Sequence, residues 1–357
     1  MYKQYLDKDA WSQFENFLYK VNERTEFQYG LRAEYTPPPK DLALGPDVEY
    51  FSFLITADDR MRYIMENIVS LPDSILSQRN KICNTIISHF YGARGIHFFM
   101  TGYSDPKKAN IDFERILVDE DYLNDIKLVA NYNKNKGIKA YGTTELHTSI
   151  QTAGRNYCRK KYNNPTRPIE ITDIVEWIAS WIEEGYVDRI LNVKSLLEMF
   201  DLLSEKPGIG NYYAYHCSTS NSVNPKLAYQ HDENFCAPGP GACQSLDFLF
   251  PTYPGKKPYD KMVIWIRKQQ RELFSQPIVV HDFFHNFNGA FADEQNELKV
   301  YGTEVILCQF SVYCRLKANP SLIKKRTIAR IADDSVCDGS LLDELKTKKK
   351  KKNIIVF

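Results

Sequence analysis

The sequence predicts a mostly α-helical fold. Apolar residues recur at helical spacing in stretch after stretch, and strand-like runs are few and short. One segment, Leu202–Ala214, has the pattern of two helices joined by a glycine hairpin. The bulk numbers agree: 357 residues, 43% hydrophobic and 25% charged, can bury a core and argue against wholesale disorder. That length suits one large domain, or a core with a smaller helical partner. We place the domain at residues 1–330 and a basic, disordered tail at 331–357.

Trp11–Arg24 places Trp11, Phe14, Phe17, Leu18 and Val21 on one helical face. Tyr35–Pro46 holds four prolines and reads as a connecting loop. Asp59–Leu71 and Ser74–Phe90 are again helical, Lys107–Tyr132 reads as a helical pair, and 133–142 is a polar, glycine-containing turn. Ile171–Gly185 and Val187–Leu203 are the strongest helices, with Thr172 or Asp173 as the cap of the first. Between Gly208 and Pro258 the pattern dissolves into Gly, Pro, Ser and Asn. Lys261–Phe274 and Thr303–Leu316 are the last helices, and a small β element stays open.

The net charge is +1, so a nucleic-acid surface would need local clustering of basic residues. Eight cysteines follow a start with no apolar signal region, which fits reduced thiols in an intracellular compartment. No run approaches the ~18 apolar residues of a membrane span. Near the end, Lys346 and Lys348–Lys352 form an almost pure basic run. It reads as a solvated tail, with nuclear import or non-specific phosphate contact as the alternative.

In Leu202–Ala214, a leucine-rich helix runs into Pro207-Gly208-Ile209-Gly210, and a second amphipathic run begins at Tyr212. Pro-Gly-Ile-Gly alone would also fit a helix C-cap and turn. The leading leucine pair and the small Ala214 favour the hairpin. Backbone amides at the N-terminus of the second helix are suited to a phosphate oxygen, a contact that carries no base information. Lys206, Gly208, Gly210, Asn211, Tyr212 and Tyr213 are therefore the candidate nucleic-acid-binding residues.

These residues resemble the helix-hairpin-helix DNA glycosylase superfamily, which implies double-stranded DNA as the partner and two helical lobes with a cleft between them. The superfamily's catalytic aspartate follows the hairpin by roughly twenty residues, and Asp232 falls there. Asn211, Tyr212 and Tyr213 stand where a lyase lysine would, so no lyase chemistry is implied. The run from Asp232 to Ala242 is similar to the D-x-x-F-x-x-x-G-P-G-A element of the thymine-hypermodification family, the α-glutamyl/putrescinyl-thymine pyrophosphorylases. A related helical domain accompanies 5-hydroxymethyluracil DNA kinases. Glu304–Arg315 resembles that family's E-x-x-L-C-E-F-x-K-Y-x-R helix, and Phe51–Arg62 its N-x-x-R-x-x-D-R segment. Gln309 and Val312 depart from the carboxylate and lysine of the first pattern, and Phe53 and Thr56 from the asparagine and arginine of the second.

The resemblance implies transfer of an amine or amino acid to a pyrophosphorylated 5-hydroxymethyluracil in DNA. Asp232 and Glu304 would be catalytic. Asp59, Arg60, Phe235, Gly239, Gly241, Gln309, Tyr313 and Arg315 would form the base or pyrophosphate pocket, and Arg62 is a further candidate for the pyrophosphate. The target base would leave the stack. No cofactor is expected beyond the amine co-substrate. The chain has no G-K-S/T phosphate loop, so the activating kinase would be encoded separately. A monofunctional glycosylase and a non-catalytic DNA-binding module are the alternatives. His281-Asp282-Phe283-Phe284-His285 approaches a zinc-protease pattern but reads as a polar surface helix. Cys236/Cys243 and Cys308/Cys314 lack the C-x-x-C spacing, so no metal is expected.

Overall fold

A computed structural model of the chain describes residues 2–28, 32–36, 59–91, 93–103, 105–138, 148–227, 234–276, 297–322 and 345. Helices make up most of them, and no strand occurs among them. In chain order they are α1 (Lys8–Gln28), α2 (Asp59–Ile64), α3 (Gln78–Tyr91), α4 (Ala93–Thr101), α5 (Phe113–Val118), α6 (Glu120–Asn135) and α7 (Thr148–Lys161). There follow α8 (Thr172–Glu183), α9 (Tyr186–Leu191), α10 (Leu196–Ser204), α11 (Asn211–Asn221), α12 (Pro240–Leu249), α13 (Tyr259–Leu273) and α14 (Val300–Ala318). Among the described residues, no helix is long and apolar enough to cross a membrane. The contacts group into two compact units: Met1–Asp58 with Gln230–Ile328, and Asp59–Tyr229 with Ala329–Phe357. Apart from Leu345, the basic tail lies outside the described residues, as does the loop expected over Tyr35–Pro46 beyond residue 36.

The first unit is built from α1, α12, α13 and α14. Asp7 starts α1, its carboxylate accepting the Ala10 N–H at 2.8 Å and satisfying an otherwise orphaned donor of the first turn. The apolar stripe of α1 then buries Phe14, Phe17, Leu18 and Val21. Phe14 meets Phe310 edge-on at 5.1 Å, and Phe17 stacks on Tyr313 at 4.8 Å. The Trp11 indole N–H donates to the Leu273 carbonyl at 3.0 Å, which ties the end of α13 to α1. Gln270 exchanges two hydrogen bonds with the backbone of Leu298 and fixes the approach to α14.

The second unit is organised around α8, in which every residue from Thr172 to Ile182 is buried. The cap expected at Thr172 or Asp173 lies elsewhere, because the helix begins one residue after Ile171. Asp173 is already inside and reaches back to accept the Glu170 N–H at 3.2 Å while pairing with Arg167 at 2.8 Å. The helix expected over Val187–Leu203 is interrupted. Ser195 is extended and caps α10 by accepting the Glu198 N–H at 3.1 Å, and the Glu198 carboxylate takes the Lys194 N–H at 2.6 Å. The S-x-x-E spacing of a capping box is thus the signal that breaks this helix in two. Helices α4 and α7 have no counterpart in the sequence expectations. Helix α11 begins at Asn211, at the place of the hairpin's expected second helix, and the stretch expected to be irregular beyond it contains α12.

Candidate functional site

The helices α10 and α11 pack on one another across the turn 205–210. Leu203, Ile209 and Ala214 are buried inside it. Gly208 has φ +84°, the left-handed region that side chains disfavour. A Cβ there would also fall 2.7 Å from the Ser149 carbonyl oxygen of α7. Ser149 Oγ donates to the Gly208 carbonyl at 3.1 Å, so α7 clasps the turn. Gly210 plays a different part. It is the extended N-cap of α11, a Cβ there would meet nothing within 4 Å, and as a glycine it supplies no capping side chain of its own.

Asn211 is exposed, and Tyr212 and Tyr213 are half-buried. Tyr212 lies 4.3 Å from the His216 ring, and Tyr213 meets Phe90 of α3 edge-on at 5.9 Å. The Lys206 ammonium sits 2.6 Å from Glu184 and 4.0 Å from the Tyr186 ring centroid, so a phosphate would have to compete with both. Neither Ser149 nor Glu184 was marked by any local sequence signal.

In the other unit, the described part of the Asp232–Ala242 block, residues 234–242, meets the Glu304–Arg315 block. Glu304 is fully buried on α14, and its Oε1 accepts the Gly239 N–H at 2.9 Å and the Cys308 thiol at 3.2 Å. Gly239 is the N-cap of α12, with Pro240 next at the position where a missing N–H costs nothing. The carboxylate therefore sits at the positive end of α12. A Cβ on Gly241 would lie 3.0 Å from Ser311 Oγ and 3.3 Å from Cys308 Cα, so this glycine lets α12 approach α14 closely. Ser245 Oγ donates to the Leu307 carbonyl at 2.6 Å and closes the same seam. Burial, and then the neighbouring Glu304, pushes the Cys308 thiol well above its usual value. Burial and Glu304 also bring Cys243 to about 11. Both thiols stay protonated at neutral pH, which suits Cys308 as a donor and not as a nucleophile.

Glu304→Ala is expected to cost about 1–3 kcal/mol, because the Gly239 N–H loses a buried acceptor. Glu304→Gln keeps an acceptor oxygen and should cost less. Thermal unfolding of the two variants measures this. If Glu304→Gln keeps the wild-type melting temperature and loses activity, the carboxylate's charge serves chemistry as well.

The remaining candidates are spread out. Tyr313 is buried in the aromatic core, Gln309 and Phe235 are half-buried, and Arg315 is exposed in the last turn of α14. Eleven residues separate Glu304 from Arg315, about 16 Å along the helix axis, so they do not converge. Asp59 and Arg60 begin α2, and nothing is described of their side chains or that of Arg62. Asp232, the His281–His285 segment and the Lys346–Lys352 run lie outside the described residues. Among the described residues, no three His, Cys, Asp or Glu side chains gather as a metal site.

Fold and site together define a class: a mostly helical protein holding a helix, a left-handed glycine turn and a second helix that starts on Gly210 in one unit, with a glutamate-latched helix pair in the other. The family described as the helical domain of 5-hmdU DNA kinase matches residues 123–322, more than half of the chain. The chain belongs to that family. The match runs from α6 to the end of α14 and includes the turn, Asp232, Gly239–Gly241 and Glu304. No curated protein and no solved structure matches the chain. Of the resemblance read from the motifs, the tie to 5-hydroxymethyluracil in DNA is the part that this match carries.

Proposed function

We propose that this chain binds DNA containing 5-hydroxymethyluracil and transfers an amine or amino acid to the pyrophosphate-activated form of that base. One observation carries the reading. The segment matched to a 5-hydroxymethyluracil DNA family includes α10, the glycine turn and α11, a helix that starts on Gly210, a residue with no side chain to occupy its N-terminus. Backbone amides and the helix dipole at such an end favour a phosphate of the DNA backbone. In the reaction, the bond between the exocyclic methylene carbon and the pyrophosphate oxygen breaks, and its electron pair leaves on pyrophosphate. The amine lone pair forms the new carbon–nitrogen bond, and Asp232 takes the proton that the ammonium gives up. The phosphorylation that prepares the base is assigned to a separately encoded 5-hydroxymethyluracil DNA kinase.

A second reading, a DNA-recognition module that works beside such a kinase, is favoured by Glu304. Its carboxylate is engaged with Gly239 and Cys308, which is a structural task. Nucleoside mass spectrometry separates the two. The protein is incubated with kinase-treated hydroxymethyluracil DNA and either glutamate or putrescine. The first reading expects a nucleoside heavier by the amine. Asp232→Asn should cut its yield by about 10²–10⁴-fold. Duplex binding without any adduct supports the module, and release of a free base supports a glycosylase.

A further inference from the structure

The most organised charge in the second unit lies away from the glycine turn. Between Glu145 and Glu170 the sequence has no acidic residue and five arginines or lysines. The last turn of α7 contributes Arg159, Lys160 and Lys161. The ring of Tyr162, 42% exposed, then lies between Lys161 at 5.3 Å, Lys127 of α6 at 5.6 Å and Arg167 at 5.2 Å.

Two buried acids hold this arrangement from beneath. Glu176 pairs with Lys127 at 2.8 Å and Lys161 at 3.0 Å, and Asp173 pairs with Arg167 at 2.8 Å. Both carboxylates are fully buried, whereas the Lys161 side chain is 40% exposed, so negative charge is inside and positive charge faces water. The acid at the surface here, Glu170, is bridged to Arg167 at 3.3 Å. Neither Arg159 nor Lys160 has a carboxylate partner among the described residues. The following loop presents Asn163, Asn164 and Thr166, all exposed, which are polar side chains of the kind that contact phosphates.

We infer that this end of α7 is a second contact for the phosphate backbone of duplex DNA. Its place in the fold supports that partner. Ser149, at the start of α7, touches the glycine turn, and Lys160 lies eleven residues further along the same helix. The separation is about 16 Å. Phosphates advance by about 3.4 Å of duplex axis per nucleotide, so one strand held at the turn would pass the basic end some five nucleotides on. The inference rests on the DNA-binding part of the proposed function and not on its chemistry.

Salt-dependent fluorescence anisotropy with a short labelled duplex tests it, using the full chain. Lys160→Gln should lower the slope of log affinity against log salt by about 0.9, and Arg159→Gln/Lys160→Gln by about twice that. Lys108→Gln, an exposed lysine outside the patch, makes the same charge change as Lys160→Gln and should leave the slope at its wild-type value. Unchanged slopes in the patch variants, an equal loss in Lys108→Gln, or no duplex binding by the wild type overturns the inference. So does a slope loss seen with RNA and not with DNA. Adduct formation, followed in the same preparations, reads the chemistry separately. Wild-type adduct with an unchanged Lys160→Gln slope sinks the patch alone, and a lowered slope without adduct sinks the transfer alone.

Discussion

Gly208→Ala is expected to lower the unfolding free energy by about 2–5 kcal/mol, whereas Gly210→Ala, two residues away, should change it little. At Gly208 two costs combine. A side chain at φ +84° costs about 1–2 kcal/mol. The new methyl also lands 2.7 Å from a carbonyl oxygen of α7, a backbone atom that cannot rotate aside. Relief then requires α7 to move from the turn, an overpacking cost of about 1–3 kcal/mol. Gly210 has an ordinary extended backbone and open space where its Cβ would be. Its replacement should be felt in duplex affinity, since a methyl there crowds the approach to the first amides of α11. Denaturant midpoints together with duplex titrations resolve the pair. Equal losses of stability at both glycines would mean that the turn is held in some other way.

Much of the fold is legible in the sequence where large apolar side chains do the packing. The α1 stripe of Phe14, Phe17, Leu18 and Val21 has helical spacing, and so do Ile174, Val175, Ile178 and Trp181 in α8. Helix α7 is illegible because it packs through small residues. Its buried face is Ile150, Ala153, Gly154 and Cys158, and a Cβ on Gly154 would fall 2.9 Å from Ile174. Helix α11 is legible at its start, where the hairpin places a second helix, but its extent is hidden for the opposite reason. It is buried from Ala214 to Asn221, yet that stretch includes His216, Ser218, Thr219, Ser220 and Asn221. Ser218 and Thr219 donate to the carbonyls four residues back, which satisfies the hydroxyls inside the helix itself. Apolar periodicity alone does not mark how far such a helix runs.

The site was legible as motif blocks but not as roles. A buried catalytic glutamate and a buried glutamate that accepts a backbone N–H share the same residue type and the same apolar neighbours. What distinguishes them is the partner, and Gly239 lies 65 residues from Glu304. The i, i+4 spacing of Glu304 and Cys308 is visible in the sequence, but without the fold it does not say that the thiol is the donor. Lys206 shows the same limit: next to Pro207-Gly208 it looks like a phosphate ligand, and Glu184, 22 residues upstream, takes its charge.

Glu176 is expected to be among the costliest single side chains to neutralise in the second unit. Its carboxylate is fully buried and faces Lys127 at 2.8 Å and Lys161 at 3.0 Å, with the Tyr162 hydroxyl donating to it as well. Glu176→Gln keeps the shape and removes the charge that balances two ammonium groups, a change worth about 3–5 kcal/mol when both partners are buried. Lys161 is 40% exposed and water can solvate it, so the lower end of that range applies. Burial alone would raise the Glu176 pKa, but the bonds from Lys127 and Tyr162 and the lysine charges outweigh it, leaving a net shift below the ordinary value of 4.5. A carboxyl held below its unfolded-state value contributes stability that is complete above that value and is lost as pH falls through the folded one. The wild type should therefore lose stability on acidification below about pH 4.5, and Glu176→Gln should lose less over the same range. Urea unfolding of both proteins from neutral to acid pH measures the difference. Parallel pH profiles would show that the two lysines keep their places without the carboxylate's charge, and the positive surface above them would then owe nothing to Glu176.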